Sequence, residues 1–191
     1  MTLSAPISPD LPLVVSATEQ EVAELVTDWP ILVTGVGKLR CAFALMDALR
    51  EVRPSGLINI GTAGALRDGW TGTHVVRRVL QHDFDEDLVA RLVGQPVEGP
   101  IDLADEGPVL ATGDEFVNST ERRLALARVA DLVDMEGYVV AAVARRSGLP
   151  ATLIKHVSDQ ADESAGTSWV ATLDANAQAL AADWTQGRRE R

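Results

Sequence analysis

Three acidic residues sit just beyond apolar, strand-like runs, where a carboxylate can reach a ligand. Ser158-Asp159-Gln160-Ala161-Asp162 follows Ala151-Thr152-Leu153-Ile154. Asp134-Met135-Glu136-Gly137 follows Ala130-Asp131-Leu132-Val133, and Glu19-Gln20-Glu21 follows Leu13-Val14-Val15-Ser16. In open α/β sheets ligands bind at the carboxyl ends of strands. Acids converging there predict acid/base chemistry on a neutral or electron-poor substrate.

Three small-residue loops accompany the acids. Thr34-Gly35-Val36-Gly37-Lys38 follows a strand and opens a helix, so its backbone N–H groups can approach an anion or a hydroxyl. It is not a Walker A loop, because Leu39 stands where Ser or Thr is needed. It is not a dinucleotide fingerprint either, because Arg40 stands where glycine is needed. Asn59-Ile60-Gly61-Thr62-Ala63-Gly64-Ala65 permits close approach of a ligand, or packs as a turn under a neighbouring strand. Thr112-Gly113-Asp114-Glu115-Phe116-Val117-Asn118 offers an aromatic ring beside free backbone. That suits stacking on a heterocycle, although Phe116 serves equally well as core. His74, His82 and His156 are far apart, without HxH or HExxH spacing, so no metal site is predicted. The single cysteine, Cys41, lies in an apolar helical stretch and reads as a core side chain.

The elements that must position these residues alternate. Predicted strands fall at 11–16, 31–33, 57–60, 73–80, 109–112, 131–133 and 151–157. Predicted helices fall at 19–28, 38–52, 87–93, 119–129, 138–147 and 169–186. Asn118 or Ser119 caps one helix, and Gly148 ends another. Strands alternating with helices imply a single α/β domain over 11–186, with a mixed, mostly parallel central sheet flanked by helices. Residues 1–10, with two prolines, read as a flexible lead, and 187–191 as a frayed tail.

The chain has 191 residues, is 46% hydrophobic and carries a formal net charge of -11. Such a length and composition suit one domain with a sizeable core. The acidity argues against binding to a nucleic-acid backbone or an anionic membrane surface. No apolar run reaches the ~18–20 residues of a membrane span. The first residues lack the basic and apolar regions of a signal peptide, so a cytoplasmic location is the expectation.

Taken in order, the motifs resemble the nucleoside phosphorylase and nucleosidase superfamily, and most closely the methylthioadenosine/S-adenosylhomocysteine nucleosidases. The resemblance rests on Ser16-Ala17-Thr18-Glu19-Gln20-Glu21-Val22, Gly35-Val36-Gly37-Lys38, Asn59 to Gly64, Thr112 to Asn118, Val133 to Glu136 and Ser158 to Asp162. It implies a purine nucleoside N-ribohydrolase acting on a 5′-modified adenosine-type nucleoside, with no metal or cofactor, working as a homodimer. By resemblance, Glu21 activates the attacking water and Asp159, oriented by Ser158, protonates the leaving purine. Glu136 binds the ribose hydroxyls, with Met135 packed against the sugar. Phe116 stacks on the base and the Val117 backbone reads its edge. Gly35, Gly37, Thr62, Ala63 and Gly64 form the loop around nucleophile and ribose, and Trp169 lines the pocket for the 5′ group.

That chemistry is consistent in itself. Cleavage of an N-glycosidic bond passes through an oxocarbenium-like state, with the base protonated on one side and water attacking on the other, as in inverting glycosidases. The acid has to carry a proton, which burial or a hydrogen bond to the neutral form favours. Phosphorolysis would need cations for phosphate. Glu19, Gln20 and Glu21 after the first strand favour water instead, although Lys38 keeps a phosphorylase open as an alternative. The segments 22–35 and 81–107 are short for the family. Trimmed pocket loops leave a non-catalytic nucleoside-binding protein as a further alternative, and they leave the substrate open among methylthioadenosine, adenosylhomocysteine, 5′-deoxyadenosine, futalosine or another purine nucleoside.

Overall fold

The computed structural model describes residues 1–189. Strands β1 (Thr2–Leu3), β2 (Leu13–Ser16), β3 (Ile31–Val33), β4 (Leu57–Ala65), β5 (Thr73–Val75), β6 (Arg78–Gln81), β7 (Ile101–Asp102), β8 (Val109–Thr112), β9 (Leu132–Asp134) and β10 (Ala151–Asp159) form one sheet. Helices α1 (Lys38–Ala48), α2 (Glu86–Val93), α3 (Thr120–Leu126), α4 (Gly137–Ser147) and α5 (Ala165–Arg189) cover it, with a single 3₁₀ turn at Gln20–Val22. Five strand pairings are parallel and four antiparallel, so the sheet is mixed and mostly parallel.

Both faces of the sheet are covered. In β2, Leu13 and Val15 point to the face packed by Cys41 and Leu45 of α1 and by Val140 and Ala144 of α4. Val14, between them, points to the face packed by Leu180 and Trp184 of α5. A strand buried on both sides reads as a continuous apolar run, as this one does. Burial pushes the Cys41 thiol up to about 12, which fits an inert core side chain.

Strand β4 organises the site. One of its edges pairs along its length with β10. Its other edge pairs with β2 through Leu57–Asn59 and then with β9 at Gly64 and Ala65. Between those two partners its backbone faces neither strand, and the sheet opens there. Such a change of partner is where open α/β sheets bind ligands.

Several elements differ from the sequence-based expectation. Residues 19–28 form only the one 3₁₀ turn, because the Glu21 carboxylate turns inward and Pro30 leaves too little chain for a stable helix. Helix α1 ends at Ala48, short of Val52, as the chain turns towards Pro54. The stretch 73–80 is two strands divided at Val76 and Arg77. The flexible lead contains β1, which pairs antiparallel with β3. Strands β4 and β10 each run longer than predicted because they pair with one another. The last helix starts at Ala165 and continues to Arg189, so part of the expected frayed tail is helical, and residues 190–191 lie outside the described chain. Capping follows expectation: Ser119 Oγ accepts from Arg122 N at 3.3 Å, and Gly148 ends α4 with φ 68°.

Candidate active site

A cavity of about 240 Å³ opens where β4 changes partner. Glu21, 7% exposed, reaches it from the 3₁₀ turn after β2. Its Oε2 accepts from Ser16 Oγ at 3.1 Å, Thr18 N at 3.2 Å and Thr18 Oγ1 at 3.1 Å. Its Oε1 accepts from Thr62 N at 2.8 Å and Thr62 Oγ1 at 2.9 Å. Thr62 lies in the part of β4 that faces neither β2 nor β9, so its amide is free to bind a side chain. A Cβ on Gly61 would come within 2.9 Å of Glu21 Oε1, so only glycine admits the carboxylate this close to the strand.

Glu136 follows β9, also 7% exposed, and its Oε1 accepts from Gly37 N at 2.6 Å. Gly37 supplies this contact from a left-handed conformation, φ 100°, open to glycine at little cost. Burial and the neighbouring Asp134 push Glu136 up to about 8, against the pull of Lys155 and of the Gly37 N–H. Asp134 lies deeper. It accepts from Thr112 Oγ1 at 2.5 Å and Gly137 N at 2.8 Å, and pairs with Lys155 Nζ at 2.8 Å. Lys155 is 2% exposed. Burial opposes its charge, but Asp134 and Glu136 outweigh that and raise its pKa.

Asp159 ends β10, where the register against β4 shifts between Val157 and Asp159. That irregularity re-aims the strand end into the cavity. Asp159 Oδ2 accepts from Ser158 Oγ at 2.7 Å and Oδ1 from Ala161 N at 2.8 Å. Ala161 has φ 51°, a position few non-glycine residues take, and its buried methyl packs in the core. The strained turn aims an N–H at the carboxylate.

Gly61 lies against Glu21 and Gly64 against Asp159. Thr62 and Ala63 of β4 separate these two glycines and line the cavity between them. Phe116, Val117 and Trp169 complete the wall. Phe116 stands at the rim and Val117 is buried.

Of the residues singled out from sequence, Glu21, Thr62, Ala63, Gly64, Phe116, Val117, Met135, Glu136, Ser158, Asp159 and Trp169 line this one cavity. Gly37 touches it through Glu136. Gly35 does not line it: it is a turn residue with φ 87°, its N–H bonded to Ala17 O at 3.1 Å, while the adjacent Val36 takes the lining position. The sequence reading missed the roles of Ser16 and Thr18 as holders of Glu21, and of Lys155 as partner of Asp134. The hydroxyls flanking Glu21 were a usable signal. Nothing near Lys155 in the sequence announces its partner. Lys38, considered for phosphate, is engaged instead by Asp83 at 2.6 Å and Gln81 at 3.2 Å.

The sequence model of the phosphorylase superfamily matches residues 16–186. The chain belongs to that superfamily. It is similar to an aminodeoxyfutalosine nucleosidase of Helicobacter pylori, 43% identical over 75 residues, a stretch that covers 38% of this chain and only 32% of that enzyme. It is 27% identical over 171 residues to a 5′-methylthioadenosine/S-adenosylhomocysteine nucleosidase of Exiguobacterium, covering 73% of this chain and 70% of the relative. Its fold matches a Helicobacter pylori MTAN mutant crystallised with 5′-methylthioadenosine in the active site, with a TM-score of 0.83 and 20% identity over 95% of this chain and 99% of that one.

Proposed function

We propose that this phosphorylase-superfamily member is a purine nucleoside N-ribohydrolase that cleaves a 5′-modified adenosine-type nucleoside to free base and sugar. The observation that carries the reading is the pair of acids, Glu21 and Asp159, each set against a glycine of β4 and lining a single cavity together with Glu136. Glu21 takes a proton from the attacking water. The C1′–N9 bond breaks as the C1′–O bond forms. Asp159 gives its proton to N7 of the departing purine, and Ser158 and Ala161 hold the carboxylate that remains. Glu136 accepts hydrogen bonds from the ribose hydroxyls, Met135 packs on the sugar, Phe116 stacks on the base and the Val117 backbone reads its edge.

Water is the favoured nucleophile over phosphate because Lys38 is engaged by Asp83, Arg122 by Glu115 and Lys155 by Asp134, while Arg40 lies over Gly35 and not among the cavity-lining residues. The backbone N–H of Lys38, at the start of α1, goes to Asp114 Oδ1 at 2.7 Å. The protein acts as a cytoplasmic homodimer in this reading. No helix among the described residues is long and apolar enough to cross a membrane. Leu39, Phe43 and Met46 form an exposed apolar stripe on α1, a surface suited to a second copy.

Chromatography of methylthioadenosine, adenosylhomocysteine, 5′-deoxyadenosine, adenosine, inosine and futalosine incubations, each with and without phosphate, tests the reading. The expected result is adenine released without phosphate, with the free sugar. Asp159→Asn should abolish turnover and largely spare ligand binding. Release only with phosphate would mean a phosphorylase. Binding without release would mean a nucleoside-binding protein.

A further inference from the structure

We propose that Trp169 is a positioning residue for Glu21, acting through the Thr62 hydroxyl, and that it couples occupancy of the 5′ pocket to the rate of the chemical step. The inference rests on the nucleosidase reading above.

Trp169 stands in the second turn of α5 and lines the cavity. Its indole Nε1–H donates to Thr62 Oγ1 at 3.0 Å, and Thr62 Oγ1 donates to Glu21 Oε1 at 2.9 Å. The direction of this chain is forced. An indole nitrogen only donates, an ionised carboxylate only accepts, and a threonine hydroxyl has one proton to give. With the indole N–H on a lone pair of Thr62, its proton is left for Glu21. Thr62 is also fixed through its own amide, which donates to the same Oε1 at 2.8 Å. Three elements distant in sequence are thus joined in one chain of hydrogen bonds that ends on Oε1 of the residue that takes the proton from water.

The other donors to Glu21, from Ser16 and Thr18, come from its own loop. The Thr62–Trp169 arm alone reaches the wall against which a 5′ substituent packs. A group seated on the indole ring holds the indole, the indole holds the Thr62 rotamer, and Thr62 holds Oε1. Binding energy from a remote, non-reacting part of the substrate is thereby spent on orientation at the reacting centre. Truncating that part then lowers kcat as well as affinity.

The test separates the ring from its N–H. Trp169→Phe keeps an apolar ring and removes the donor. Thr62→Val removes the hydroxyl and keeps the amide, and Thr62→Ser restores the hydroxyl. Kinetics are measured with methylthioadenosine and with adenosine. Trp169→Phe and Thr62→Val should each lower kcat for methylthioadenosine roughly fivefold, with KM little changed. The double variant should be no slower than the worse single, because the two act as one unit. Thr62→Ser should restore kcat, and the kcat advantage of methylthioadenosine over adenosine should shrink in Trp169→Phe. In 15N-tryptophan-labelled protein, four indole signals are expected from the four tryptophans. The one lost in Trp169→Phe should move in Thr62→Val. Additive losses, a loss confined to KM, or an unmoved indole signal would overturn the relay. Wild-type protein that releases no base from either nucleoside would overturn the nucleosidase reading itself, a result distinct from turnover with additive losses.

Discussion

Glu136 is the side chain whose charge state the fold alters most legibly. Burial and Asp134 lift it from 4.5 to about 8. Between those values the folded chain keeps a proton that the unfolded chain has released. Folding therefore takes up a proton, and this group's contribution to stability falls as pH rises from about 4.5 towards 8. Glu136→Gln removes that dependence. Urea midpoints at pH 5 and pH 8 should drop more in the native protein than in Glu136→Gln, and equal drops would show that another group is responsible. The same titration brings Glu136 into its carboxylate form, the better acceptor for ribose hydroxyls, so nucleoside affinity should climb towards pH 8.

At the scale of elements, β4 and β10 carry the design. β4 gives Thr62 to Glu21 and makes room with glycine for both acids, while β10 brings Asp159 to the cavity and sends Lys155 into the interior to meet Asp134 at the end of β9. A cation this buried is tolerated because it is paired, and the pair holds the strand end from which Glu136 projects. Lys155→Met leaves Asp134 charged beside Glu136 with no cation, and breaking such a pair costs about 3–5 kcal/mol. Denaturant unfolding should show a loss of that order. A variant within about 1 kcal/mol of the native protein would mean that water reaches Asp134 and carries the charge instead.

For the molecule as a whole, the exposed apolar stripe of Leu39, Phe43 and Met46 on α1 is the surface on which the homodimer reading rests. Phe43 is 63% exposed and central to the stripe on α1. Contiguous apolar patches of this kind on an acidic surface mark interaction sites more often than they mark idle surface. In the homodimer reading, Phe43→Glu should shift the protein to monomer in sedimentation velocity, with a native circular dichroism spectrum. An unchanged sedimentation coefficient would place the dimer contact elsewhere or leave the protein a monomer.

The sequence by itself determined the class of fold, most element positions and much of the candidate site. Strand periodicity, glycine turns and helix caps are written in neighbouring residues, and motifs such as Ser158-Asp159 and Met135-Glu136 carry their side chains to a strand end whatever lies across from them. The tertiary structure alone decided what those side chains meet. Residues 19–28 have helical spacing, yet the inward pull on Glu21 from Thr62, 41 residues away, left a single turn. The indole of Trp169 finds Thr62 across 107 residues. Lys155 finds Asp134 because β4 exchanges β2 for β9 while keeping β10 on its other edge. Contacts of that range depend on which strands become neighbours, and strand order is a property of the whole packed sheet that no local stretch of chain encodes.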